Sequence, residues 1–127
     1  MTEGNLSCVL LADSHQGLTE GVRGLLATVF GTVVMVADET SLVEGAGRLQ
    51  PEFVVVDLSL ARNKGLGWLN KLRAHCPALK VVVLSINDEP AVRSAAMAAG
   101  ADAFVLKRSI ATDLLAAIAS VRGGNRL

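Results

Sequence analysis

Tyrosine is absent from this 127-residue chain, tryptophan occurs once, and phenylalanine and proline three times each. The two cysteines, Cys8 and Cys76, form neither a CxxC pair nor a disulfide framework, so a reducing, cytoplasmic compartment is the default expectation. Neither sign of charge is in excess, with 12 basic residues against 12 acidic ones. Binding to the phosphate backbone of nucleic acid or to an anionic membrane draws on many unpaired Lys and Arg, and neither partner is expected for this segment. Long hydrophobic runs are missing too, the longest being strand-sized pieces such as Val33–Ala37 and Phe53–Val56, well short of a membrane span. The amino end, Met1-Thr-Glu-Gly-Asn5, carries an acid where a signal peptide needs positive charge, and Asp13 cuts the apolar run behind it, so no export is expected.

What is present is aliphatic. The hydrophobic set makes up 51% of the chain, which excludes disorder and suits one domain, residues 1–127, burying about two thirds of its extended surface without metal or disulfide. Apolar runs rich in Val and Leu recur at Ser7–Ala12, Thr32–Ala37, Phe53–Asp57, Lys80–Ser85 and Ala103–Leu106. Runs without alternation suit strands buried on both faces, as in a parallel sheet. The segments between them have helical spacing: Leu18, Val22, Leu25, Leu26 and Val29 form one stripe, and Leu66, Leu69 and Leu72, with Trp68, line a third helix. Pro90 occupies a first helical position, Gly100 a helix-ending one, and a last helix runs from near Ser109 to Arg122 before Gly123-Gly124. The second helix, Leu42–Leu49, contains Gly45 and Gly47, each costing about 1 kcal/mol relative to Ala, so packing must hold it. Five (βα) units give a three-layer α/β sandwich with right-handed crossovers.

In such a sheet, chemistry gathers at the carboxyl ends of the strands. Those ends read Asp13-Ser14-His15, Asp57-Leu58-Ser59, Ser85-Ile86-Asn87 and Lys107. Two carboxylates, a hydroxyl and an ammonium therefore share one rim of an otherwise apolar sheet. A carboxylate can attack phosphorus and form an aspartyl phosphate if a divalent cation and a positive side chain neutralise the incoming oxygens. Asp57 is placed for the nucleophile. Asp13, Asp57 and the backbone carbonyl of Ser59 would ligate Mg²⁺, with water completing the octahedron, while Lys107 and the Ser85 hydroxyl would contact the phosphoryl group.

The segments Val9-Leu-Leu-Ala-Asp-Ser-His15, Phe53-Val-Val-Val-Asp57-Leu-Ser59, Val81-Val-Val-Leu-Ser85 and Gly100-Ala-Asp-Ala-Phe-Val-Leu-Lys107 resemble the response-regulator receiver domain of two-component signalling. The likeness runs in order through essentially the whole chain, and Gly65 at the third helix fits it. Leu10-Leu-Ala-Asp13 and the Arg122-Gly-Gly-Asn125 tail point to receivers of LuxR/NarL-type regulators, although no DNA-binding domain is included. The resemblance implies a flavodoxin-like (βα)5 sandwich with strand order 2-1-3-4-5. It also implies that Asp57 accepts phosphate from a histidine kinase, that Ser85 and Phe104 act as the switch, and that the face of the fourth helix, fifth strand and fifth helix carries the readout, including contact between two copies.

Three positions depart from the family. Ser14 replaces the second of two adjacent acids, so weaker Mg²⁺ binding and slower phosphorylation are expected, and a receiver acting as a phosphorylation-independent interaction module is the alternative. Ala61 stands where proline is frequent, leaving the Leu58–Lys64 loop less constrained. Arg108 replaces the proline after the lysine, which disfavours a cis peptide there.

Blander readings accompany these. Asp57 can cap the loop that follows its strand, Lys107 alone would be a solvated lysine, and Ser85 a plain strand-end hydroxyl. His15 reads as a solvated loop residue, and His75 with Cys76 lacks two further zinc ligands. Cys8 reads as a small apolar strand residue, and Trp68 as a core-edge residue. The small side chains of Ala91–Ala99 mainly favour a helix but would also let a partner helix approach. An enzyme on this architecture is not expected: Asp13-Ser-His-Gln-Gly17 is not a GxGxxG loop, and Ser59 stands where an aspartate phosphohydrolase of the haloacid dehalogenase kind has a second Asp.

Overall fold

The computed structural model describes residues 7–13, 16–60, 67–86 and 88–124, with only the backbone at 16–19. The chain alternates β1 (Cys8–Ala12), α1 (Gln16–Ala27), β2 (Thr32–Val36), α2 (Glu39–Leu49), β3 (Phe53–Asp57), α3 (Gly67–His75), β4 (Lys80–Ser85), α4 (Pro90–Ala98), β5 (Ala103–Leu106) and α5 (Ile110–Arg122), with single 3-10 turns at Leu58–Leu60 and Lys107–Ser109. The strands form one parallel sheet in the order β2-β1-β3-β4-β5.

Because side chains alternate along a strand, the apolar runs feed two cores. Leu10, Ala12, Val54, Val56, Val81 and Val83 face α2, α3 and α4, whereas Val9, Leu11, Val55, Val82 and Leu84 face α1 and α5. Most of these side chains are fully buried, each worth roughly 1.5–3 kcal/mol against exposure for the larger ones. The β2 run departs from the expectation of two buried faces: at one edge of the sheet, none of its residues is fully buried, and Met35 is 41% exposed.

The helices follow their apolar stripes with local corrections. Val22 and Leu26 are buried, but α1 ends at Ala27, so Val29 falls in a turn closed by its N–H on the Leu26 carbonyl and is 37% exposed. The side chain of Leu18 lies outside the described residues, as do Gly65 and Leu66. Helix α2 starts three residues earlier than expected because Asp38 caps it, its carboxylate accepting from the Ser41 N–H at 2.7 Å. Buried Leu42 and Ala46 supply the packing, and Gly45 lets the helix approach β1, since a Cβ there would sit 3.2 Å from a Leu10 methyl. Trp68 is buried in the core under α3, not at its edge. Cys8 is half-buried in β1, and burial pushes its thiol pKa up. Gly100 ends α4 at φ +119°, where a side chain would be strained. No helix among the described residues is long and apolar enough to cross a membrane.

Candidate functional site

The register sets the site. Ala12 pairs with Val56 on the neighbouring strand, so Asp13 and Asp57 leave β1 and β3 side by side, while Ser85 ends β4 opposite Leu106, the residue before Lys107. Asp13, Asp57 and Ser85 are the buried polar side chains of the described chain, at 6%, 2% and 3% exposure. The backbone of Asp13 is fixed by its N–H on the Val36 carbonyl at 3.1 Å.

Lys107 reaches across the end of β4 and donates its ammonium to Oδ2 of Asp57, forming an ion pair. The other oxygen, Oδ1, accepts from the Ser59 N–H and from the Ser59 hydroxyl, each at 3.0 Å. Burial pushes the Asp57 pKa up, but the hydrogen bonds from Lys107 and the Ser59 N–H, the hydrogen-bonded contact with Asp13 and the charge of Lys107 outweigh it, leaving the carboxyl below its usual value. Asp57 is thus anionic at neutral pH although almost fully enclosed.

The loop-cap reading of Asp57 and the pocket reading describe the same carboxylate: Oδ1 closes a local turn with Ser59 while Oδ2 holds Lys107. Sequence reasoning assigned only the carbonyl of Ser59 to the site and missed its two donors. The Asp-x-Ser spacing, which favours a side-chain turn of this kind, was the available signal. It also missed what covers Phe104: this residue is 6% exposed in β5, and the guanidinium of Arg93 on α4 lies 5.6 Å from its ring centre. Arg108, in place of the frequent proline, pairs with Asp88 at 2.7 Å. Ser14, His15, Ala61 and Asn87 lie outside the described residues.

As metal donors, Asp13 and Asp57 offer adjoining carboxylate oxygens without nitrogen or sulfur from the described chain, chemistry that fits a hard cation such as Mg²⁺. His75 and Cys76 sit elsewhere, the imidazole Nδ1–H donating to the Lys71 carbonyl at 2.9 Å and the thiol to the Ala46 carbonyl at 3.7 Å. They line a cleft of about 400 Å³ with Gln50, Glu52 and Leu79, at the opposite end of the strands.

A parallel sheet in this order, wrapped by helices on both faces and carrying its buried ionic groups on the carboxyl rim, is of the flavodoxin-like class. Residues 9–119 match the response regulator receiver domain, and the chain belongs to that family, the receivers of two-component signalling. It is 29% identical to the transcriptional regulatory protein RcsB of Escherichia coli (strain K12), over 93% of this chain and 57% of that protein. With the nitrate/nitrite response regulator NarP of the same organism it is 31% identical, over 100% of this chain and 60% of the relative. A LuxR-family response regulator from Aurantimonas sp. SI85-9A1 superposes with a TM-score of 0.85 at 27% identity, over 94% of this chain and 87% of that one. The kinship with LuxR/NarL-type regulators expected from the sequence therefore holds, and the chain spans less than two thirds of the length of the curated relatives.

Proposed function

We propose that Asp57 is the phosphoacceptor of this receiver and that a histidine kinase is its donor. The observation that carries the reading is a carboxylate held anionic at 2% exposure, in contact with a second carboxyl group and an ammonium. An oxygen of Asp57 attacks the phosphorus of a phosphohistidine; the new oxygen–phosphorus bond forms as the phosphorus–nitrogen bond breaks, and the imidazole leaves with the electron pair and takes up a proton. Asp13, Asp57 and the Ser59 carbonyl would hold Mg²⁺, which when bound would offset the negative charge of the phosphoryl oxygens.

Lys107 transfers its contact from the free carboxylate to the phosphoryl group, and Ser85, buried at the next strand end, donates its hydroxyl to the same group. Phe104, already 6% exposed in β5, then repacks with the movement of Ser85 and carries the change to the face built by α4, β5 and α5. Exposed small residues on that face, such as Ala91 and Ala95, admit close approach of a second copy or of an output region. The setting is the cytoplasm, and transcription control belongs to a longer regulator of which residues 1–127 are the receiver.

The test is NMR of the native chain with Mg²⁺ and beryllofluoride, which mimics the phosphoryl group. Amide resonances at Ser85, Phe104 and Lys107 should shift, and should stay in place in Asp57→Asn. Equal responses in both proteins would contradict the reading.

A further inference from the structure

Helices α2 and α3, which pack side by side on one face of the sheet, each bury a polar atom that has no hydrogen-bond partner. On α2 it is Oε1 of Glu39, an acceptor; on α3 it is the Nε1–H of Trp68, a donor. Buried polar atoms in native proteins are nearly always paired, so an unpaired one points to a missing water, ion or ligand. The two atoms also belong to the same level of the fold. Val36 in β2 and Val56 in β3 both align with Ala12 of β1, and both helices then run back antiparallel to these strands. Glu39 is the first residue of α2 and Trp68 the second of α3.

A groove of about 280 Å³ lies between the helices, lined by Glu39, Thr40, Val43, Glu44 and Lys71. Trp68 stands one turn before Lys71, so the two share a side of α3; the indole is 3% exposed and belongs to the core that Leu42 and Ala46 of α2 complete. Among the described residues Glu39, Glu44 and Lys71 form no ion pair. The groove therefore offers an unfilled acceptor and a second carboxylate on one wall, an unpaired ammonium on the other, and Val43 as an apolar contact. Sites for drug-sized ligands measure about 300–1,000 Å³, so this one suits a smaller molecule.

Such a molecule must bring a cationic donor to Glu39 and, a few atoms away, an anionic acceptor to Lys71 and the indole N–H. A plain amine leaves Lys71 and Trp68 unsatisfied, and a plain carboxylate leaves Glu39 so. We propose that the α2–α3 groove binds a free α-amino acid, its ammonium on Glu39, its carboxylate on Lys71 and the Trp68 N–H, and its side chain against Val43. The site lies on helices that take no part in the α4–β5–α5 face, and it does not rest on Asp57 being a phosphoacceptor.

The chain has one tryptophan, so its indole N–H gives a single resonance in ¹⁵N-resolved NMR of the whole native protein. L-Alanine should shift that resonance along a saturable curve with a midpoint on the order of millimolar, a scale open to a ligand of about six heavy atoms. Methylammonium and acetate, each carrying one half of the zwitterion, should need at least about tenfold more. Glu39→Gln, which keeps the shape, should weaken the alanine response about tenfold or more, and Lys71→Met, at an exposed position, about two- to fivefold. Amide spectra otherwise like the native one will show that both variants fold. An indole resonance that exchanges with water but stays in place with alanine marks a hydration site and overturns the proposal. So does an equal response to acetate or methylammonium alone, or an undiminished response in Glu39→Gln.

Discussion

Lys107 and Asp57, fifty positions apart, close an ion pair across the end of β4 with 10% and 2% of their side chains exposed. Removing one member of a buried pair strands the other charge, at a cost of about 3–5 kcal/mol. Lys107→Met should therefore lower stability by about 3 kcal/mol at pH 7 in urea unfolding. The folded pKa of Asp57 lies below its usual value, so its contribution is complete above the usual carboxylate range and is lost as pH falls through the lowered value. In the variant, burial without the ammonium raises that pKa, so the difference between the two proteins should narrow in acid. A gap independent of pH would contradict this account.

Arg122 at the end of α5 donates to both oxygens of Glu52 and lies over Phe30 and Phe53, at 4.8 and 5.8 Å from their ring centres. The Glu52 hydrogen bonds, opposed by burial and reinforced by the charge of Glu52, raise its pKa. Arg122→Ala should cost about 1 kcal/mol in thermal unfolding, allowing for partial screening of the pair. Glu52→Gln, which keeps the ring contacts, should cost less, and salt should diminish the difference.

Gly100→Ala should cost about 1–3 kcal/mol. The position has φ +119°, and the new Cβ would lie 2.9 Å from Cγ of Arg73, whose guanidinium holds the turn after α4 through the Gly100 carbonyl. A melting temperature equal to the native one would show that the turn relaxes freely.

The cap of α2 gives a pH-dependent test. Hydrogen bonding from the Ser41 N–H, and then from its side chain, lowers the Asp38 pKa, so the cap stabilises above the usual carboxylate pKa and its effect fades as pH falls through the lowered one. Asp38→Ala should melt earlier than the native chain at pH 7, with the difference shrinking in strong acid.

Ser14→Asp, at the position after Asp13, should restore a third carboxyl group to the acidic rim. Tighter Mg²⁺ binding by titration calorimetry and faster modification by acetyl phosphate are expected. Unchanged affinity would show that Asp13 and Asp57 already provide the full acidic contribution.

The fold was legible where one physical rule dominated. Phe53–Asp57, Lys80–Ser85 and Ala103–Leu106 are strands with the expected bounds, because uninterrupted aliphatic runs of that length suit burial on both faces. The same rule over-read β2, since an apolar run does not disclose whether helices cover its strand at the sheet edge: β2 is left partly exposed, while β5 at the other edge is buried. The start of α2 depends on a hydrogen bond between Asp38 and Ser41, a polar signal ahead of the apolar stripe. The rim of Asp13, Asp57, Ser85 and Lys107 was readable because parallel order brings strand ends together. Arg93 over Phe104 was not, because a helix-to-strand contact of that kind follows no local period.

The most direct test of phosphoacceptance at Asp57 is the intact mass of the purified chain after incubation with acetyl phosphate and Mg²⁺. The native protein should gain the mass of one phosphoryl group, and Asp57→Asn should gain none. No gain in the native chain, or the same gain in the variant, would contradict the assignment.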